Sequence, residues 1–139
     1  MAEFVSAIVG LVAAGAATGN SLYGVIDSWR SAPAEFQSLS NSVTDLRTIL
    51  DRVNELLDNG TLLTTSDQRA NNFSSVIERS KSLFDNVDHL SRKLVKSQQG
   101  ISTVRRPKWL RYKRHAAKLQ AEAKYLSEVF MGLLGVENV

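Results

Sequence analysis

Residues 33–58 read PAEFQSLSNSVTDLRTILDRVNELLD, and this stretch decides the fold. Its apolar residues follow one another at alternating intervals of three and four, which places them along one face of an α-helix. They are Phe36, Leu39, Val43, Leu46, Leu50, Val53 and Leu57. Such an unbroken seam is typical of a helix in a bundle. Pro33 suits a first helical turn, and Asn59-Gly60 supplies the left-handed residue that ends the helix.

Three further segments have the same helical spacing, and none alternates as a strand would. One precedes Pro33, one begins near Ser66 or Asp67, and one begins at Pro107 and ends at Gly135. The third segment's seam comprises Phe73, Val76, Ser80, Leu83, Val87, Leu90 and Leu94, and the fourth's comprises Trp109, Tyr112, Ala116, Leu119, Ala123, Leu126, Phe130 and Leu133. The sequence predicts one all-α domain over residues 1–139, an up-down four-helix bundle with helices at about 2–29, 33–58, 66–98 and 107–134.

Composition gives no support to an enzyme. The chain has 139 residues, enough for one hydrophobic core, and no cysteine. The absence of cysteine excludes thiolate chemistry and Cys-based metal sites. His89 and His115 have no nucleophile or orienting group at a suggestive spacing, and the chain has no phosphate-binding loop. We therefore expect no catalytic activity, no metal and no cofactor.

The net charge of +3 is unevenly distributed. Residues 92–124 contain 11 Lys and Arg residues and one acidic residue, whereas residues 1–91 contain 6 Lys and Arg residues and 11 acidic residues. We define the basic cluster as Arg105, Arg106, Lys108, Arg111, Lys113 and Arg114, with the aromatic residues Trp109 and Tyr112 among them. Cations interleaved with aromatic rings are typical of a surface that binds anionic lipid headgroups. Nucleic-acid binding and a merely solvated charged face are the alternatives.

The first segment is unusual because Phe4 to Ile26, 23 residues, contains no charge. As a helix it extends about 35 Å, enough to cross a bilayer core. A signal peptide is disfavoured, since Glu3 precedes the apolar run and no Lys or Arg does. Gly15 and Gly19 form a GxxxG pattern, which permits close helix packing. A central helix buried in a soluble bundle gives the same composition, and such a helix could also be released later.

The opening residues 1–15, MAEFVSAIVGLVAAG, resemble the start of fungal HeLo-like (HELL-type) N-terminal domains. The resemblance continues through Ser21-Leu22-Tyr23, Ala32-Pro33-Ala34-Glu35 and the seam to Leu57, and thus covers about residues 1–58. Such domains form the N-terminal part of STAND or NLR-type receptors and of cell-death effectors with amyloid signalling motifs. The resemblance therefore implies a cytoplasmic domain of a longer protein that takes part in regulated cell death or heterokaryon incompatibility.

In the effector members of that family, activation sends the domain to the plasma membrane, where the N-terminal helix permeabilises the bilayer. The resemblance places this insertion helix at Phe4, Ile8, Gly10, Leu11, Gly15, Gly19, Leu22 and Ile26. The surface expected to bind anionic lipid comprises Arg105, Arg106, Lys108, Trp109, Arg111, Lys113 and Arg114. The implied partners are anionic membrane lipids, further copies of the chain on activation, and an upstream receptor or amyloid-motif protein, but not nucleic acid. The alternative is a non-lytic protein-interaction module of a STAND receptor.

Overall fold

The structure is a computed structural model that describes residues 2–28, 33–58, 67–98 and 106–138, and the side-chain surroundings of 6–27, 33–56, 74–94 and 112–132. Four helices account for nearly all of the described chain: α1 (Ala2–Ser28), α2 (Ala34–Asp58), α3 (Asp67–Gln98) and α4 (Arg106–Asn138). Within those ranges there is no strand. The prediction of an all-α four-helix bundle with an apolar first helix is confirmed.

The helix ends follow from local chemistry, with one departure from the sequence prediction. The carbonyl of Pro33 accepts the backbone N–H groups of Phe36 and Gln37 at 3.0 and 3.1 Å, so α2 begins immediately after the proline. The prediction that Gly135 ends the fourth helix is wrong, because α4 continues to Asn138. A glycine inside a helix costs only about 1 kcal/mol, and no proline follows it to force a stop.

The helices surround the core in the order α1, α2, α4, α3. Each helix packs against two neighbours, and in the described part of the chain α1 lies diagonally across from α4 and α2 across from α3. The contacts also give the directions. Glu35 at the start of α2 meets Lys113 near the start of α4, so these two helices run parallel. Arg79 of α3 meets Glu122, and Lys93 meets Tyr112, so α3 and α4 run antiparallel.

The predicted seams form the core wherever their side chains are described. Every seam residue of α2 from Phe36 to Val53 is fully buried, and Ser80, the polar member of the α3 seam, donates its hydroxyl to the Val76 carbonyl at 2.9 Å. The predicted seam members Leu57, Phe73, Trp109 and Leu133 lie outside the described side chains. α3 buries a second column that the sequence analysis missed: Ile77, Phe84 and Ser91, spaced seven residues apart.

Candidate functional site

The first helix turns a continuous seam toward the core. Its described members are Ile8, Leu11, Gly15, Thr18, Leu22 and Val25, all buried. Large apolar side chains occupy both ends of the seam, and the two central positions carry a glycine and a threonine. Because burial stabilises roughly in proportion to apolar area, the middle of α1 contributes less than its ends.

Gly15 lies against the ring of Phe84 on α3. A Cβ atom built on Gly15 would lie 3.1 Å from Cζ and 3.3 Å from Cε2 of Phe84, tighter than ordinary van der Waals contact. The aromatic ring therefore fills the space that a side chain at this position would occupy. At Gly19 the nearest atom to such a Cβ is Nη1 of Arg47 at 3.6 Å. In this bundle the GxxxG glycines thus face side chains of α3 and α2 and not the backbone of another helix.

Thr18 brings a polar group into the core without a partner. Its side chain is fully buried, and Oγ1 has no hydrogen-bond partner within the described residues. An unsatisfied buried hydroxyl typically costs about 1–3 kcal/mol. Together with the glycine one turn earlier, Thr18 makes the centre of the α1 seam its weakest part.

Between Ser6 and Gly24 the opposite side of α1 is exposed and carries no charge, and the exposed Asp27 follows in the same row. Six small residues follow one another at intervals of four and three on this side: Ser6, Gly10, Ala13, Ala17, Asn20 and Gly24, all exposed. Nothing lies within 4 Å of a Cβ built on Gly10 or Gly24. Val9 and Tyr23 flank these positions and are 50% and 70% exposed. From Ser6 to Gly24 the outer face of α1 is therefore uncharged and open to solvent.

The structure places the predicted insertion residues on several sides of α1. Ile8, Leu11 and Leu22 are buried, Ile26 and Gly19 are half-buried, and Gly10 is exposed. The side chain of Phe4 lies outside the described side chains. Among the described helices only the stretch Ser6–Asp27 is long and apolar enough to cross a membrane, a test that core helices of soluble proteins also pass. Since its apolar seam faces the core, α1 must leave the bundle before it can span a bilayer.

Two members of the basic cluster have described side chains. Arg114 is exposed, and Nζ of Lys113 lies 3.1 Å from Oε1 of Glu35. The side chains of Arg106, Lys108, Trp109 and Arg111 lie outside the described side chains, although α4 includes these residues, and Arg105 lies outside the described chain altogether. Part of the positive charge of the cluster is thus balanced within the bundle.

The pKa of Glu35 is lowered, first by a hydrogen bond from its own backbone amide and second by Lys113. A lowered carboxyl pKa means that the ion pair stabilises the fold above the ordinary pKa, and that this contribution is lost as the pH falls through the lowered value.

We expect Lys113→Ala to raise the pKa of Glu35 only part of the way to its ordinary value, because the backbone hydrogen bond remains. A titration followed by carboxyl ¹³C NMR measures the change. Lys118→Ala, which removes an exposed lysine of the same helix, should leave the pKa of Glu35 unchanged. Complete restoration of the ordinary value by Lys113→Ala would show that the lysine alone sets it.

α3 adds cations to this end of the bundle that the sequence analysis did not single out. Arg92 and Lys93 are exposed, and Nζ of Lys93 lies 5.7 Å from the ring centroid of Tyr112. Tyr112 is half-buried and packs on the core, as its place in the seam of the fourth segment predicts. Since α3 and α4 are antiparallel, the end of α3 and the start of α4 together form one basic end of the molecule.

A second charged contact joins α3 to α4 nearer the middle of the bundle. The guanidinium of Arg79 donates to both carboxylate oxygens of Glu122 at 2.7 and 3.0 Å. It also lies 4.7 Å from the ring centroid of Tyr125. The hydrogen bond with Tyr125, and then Glu122, raise the pKa of Arg79. These three half-exposed groups fasten α4 to α3 and leave α1 untouched, so α1 can separate without breaking them.

No three His, Asp or Glu side chains among the described residues lie close enough together to hold a metal ion. Comparisons with models of protein families, with curated proteins and with solved structures find no match to this chain.

Proposed function

We propose that this domain permeabilises membranes: it docks through its basic end on an anionic bilayer, releases α1 from the bundle, and assembles into oligomers whose α1 helices enter the lipid. The domain acts in regulated cell death in fungi, moves from the cytoplasm to the plasma membrane when an upstream receptor or amyloid-motif partner activates it, and catalyses no reaction. The observation that carries the proposal is that a helix long and apolar enough to span a bilayer, with no charge from Phe4 to Ile26, is held in the core by a seam with a weak centre.

The packing of α1 supports its release. At the centre of the seam, Gly15 contributes no side chain and Thr18 buries an unpartnered hydroxyl. Within the described residues α1 packs against α2 and α3 only, whereas the contacts between Arg79 and Glu122 and between Lys113 and Glu35 join the other three helices. Local opening of one helix requires less free energy than unfolding of the whole domain.

The charge distribution supports docking by one end. Arg92 and Lys93 from α3 and Arg114 from α4 are exposed where α4 begins. Each cation close to an anionic bilayer contributes on the order of 1 kcal/mol to binding. Several cations on one end therefore suffice to hold the domain at the surface and to orient it.

Site-specific labelling tests insertion directly, because the chain contains no cysteine. A single cysteine in place of Ala13, on the exposed face of α1, carries an environment-sensitive dye, and a cysteine in place of the exposed Ser82 of α3 provides the control. With anionic vesicles we expect the dye on α1 to become shielded from aqueous quencher as the vesicles leak, and the dye on α3 to stay accessible. Vesicle binding with both dyes accessible and no leakage would contradict the proposal and favour the non-lytic interaction module.

Thr18→Val is expected to stabilise the domain by about 1 kcal/mol, because it removes the unpartnered hydroxyl at nearly constant shape. If α1 must leave the core, leakage from anionic vesicles should become about fivefold slower. Guanidinium unfolding and a dye-release assay measure the two effects. Ser127→Ala is the matched control, since the buried Ser127 hydroxyl of α4 is also unpartnered within the described residues. Equal slowing by both variants would show that leakage follows global unfolding and not release of α1.

A further inference from the structure

A groove of about 530 Å³ runs between the second half of α1 and the end of α3. Its α1 wall includes Ala17, Ser21 and Gly24, and its α3 wall includes Asp88, Ser91 and Arg92. Its volume lies within the range of about 300–1,000 Å³ that small-molecule sites occupy. The α1 wall carries no charge, and no atom lies within 4 Å of a Cβ built on Gly24. The groove can therefore accept an apolar chain along α1.

Two side chains of α3 give the groove a polar end. Ser91 is only 3% exposed, and its hydroxyl has no hydrogen-bond partner among the residues that the structure describes. Arg92, the next residue, is exposed and forms neither an ion pair nor a hydrogen bond in the described part of the chain. Arg92 lines the groove, and its unpaired guanidinium is a group that binds oxygen-rich anions such as phosphate.

The charges along α3 set the direction of such a ligand. Asp88 lies one helical turn before Arg92, toward the middle of the bundle, and repels an anion there. Lys93 follows Arg92 toward the basic end. The anionic group of a ligand is therefore drawn to the end of the groove at Arg92, and the apolar part extends past Gly24 toward Ala17.

We propose that this groove binds one anionic phospholipid of the bilayer, with the phosphate on Arg92 and one acyl chain between α1 and α3. The inference rests on the proposed function, because it supplies the lipid that the docked domain meets. A chain in this position lies against both α1 and α3, so the bound lipid holds this side of the bundle at the bilayer surface.

Dodecyl phosphate below its critical micelle concentration is a probe of this site that requires no bilayer. Calorimetry should show it binding to the wild-type protein more tightly than dodecanol, and inorganic phosphate binding weakest of the three. Gly24→Leu places a side chain in the groove and should weaken dodecyl phosphate binding roughly tenfold or more. Arg92→Gln should weaken the binding of dodecyl phosphate by about tenfold, because a charged hydrogen bond is lost, and should leave the binding of dodecanol unchanged.

Gly10→Leu is the matched control for the groove. It also adds a leucine at an exposed glycine of α1 with nothing within 4 Å, but away from the groove lining. Both substitutions improve helix propensity, so the variants should stay folded by circular dichroism. The site would be overturned if Gly10→Leu and Gly24→Leu weakened dodecyl phosphate binding equally. It would also be overturned if either Gly24→Leu or Arg92→Gln left that binding unchanged.

The same variants separate this inference from the proposed function. Suppose that the wild-type protein binds dodecyl phosphate, that Gly24→Leu and Arg92→Gln weaken this binding, and that no vesicle leakage occurs. The groove is then supported and the lytic function is contradicted. If Gly24→Leu protein binds dodecyl phosphate as wild type does while wild-type protein permeabilises vesicles, the groove alone is overturned.

Discussion

Gly15→Leu is expected to destabilise the domain by about 3 kcal/mol, a large part of the 5–15 kcal/mol that a domain of this size typically has. Even a Cβ at this position would lie 3.1 Å from the ring of Phe84, so the rest of a leucine side chain has no space. The ring is buried in the core and cannot move aside without displacing its neighbours. Guanidinium unfolding monitored by circular dichroism measures the loss.

A double-mutant cycle tests the cause. Phe84→Ala alone should cost about 3–5 kcal/mol, because it leaves a cavity. The double variant should lose less unfolding free energy than the two single variants lose together. The difference should be at least about 1 kcal/mol, because the leucine occupies part of the cavity that Phe84→Ala leaves. Gly10→Leu, at a glycine with open space, should not destabilise the domain, because nothing opposes the side chain and leucine has the better helix propensity. Additivity of the two changes would mean that Gly15 and Phe84 do not share this space.

Reversing three charges of the basic cluster should weaken binding to anionic vesicles by roughly a hundredfold or more. The suitable set is Arg106, Arg111 and Arg114 changed to Glu, because Lys113 is already paired with Glu35. Co-sedimentation with vesicles at several salt concentrations measures the effect. Wild-type binding should also weaken with salt, as the Debye length falls from about 10 Å at 0.1 M to about 3 Å at 1 M.

Changing Lys81, Lys118 and Lys124 to Glu is the control for this charge reversal. These lysines are exposed on α3 and α4 and lie outside the basic cluster, and the net charge changes by the same amount. We expect the control to retain most of the vesicle binding. Similar losses in both variants would mean that net charge alone governs binding.

In a competition between anionic vesicles and duplex DNA we expect the wild-type protein to bind the vesicles. A preference for DNA would contradict the membrane assignment of the cluster.

Much of the fold could be predicted because each helix encodes its buried face locally. The three-and-four spacing identified the seam of α2, and every member of it from Phe36 to Val53 is fully buried. A helical period is a property of residues close in sequence, so one chain is enough to read it. The same holds for the basic cluster, which is contiguous in sequence.

What could not be predicted depends on which helices meet. Phe84 lies beside the α3 seam, and only the proximity of Gly15 makes that position part of the core. Arg92 and Lys93 belong to the basic end because α3 and α4 are antiparallel neighbours. The sole sequence signal for the second column of α3 is its seven-residue spacing from Ile77 to Ser91. The lining of the groove depends likewise on the packing of α1 against α3.

The order of the helices around the core has a consequence for assembly. Since α2 and α3 lie diagonally in the described bundle, departure of α1 opens a slot between them, with Phe84 exposed on one wall. That slot is shaped for an α1 helix, and the α1 of a second molecule fits it as well as the original does. An exchange in which each molecule donates α1 to the next is head-to-tail, and where the rotation between successive molecules does not close a ring, it produces an open filament, whereas mutual exchange between two molecules closes a dimer. A domain whose own first helix fills this slot thus carries both halves of a joint between copies.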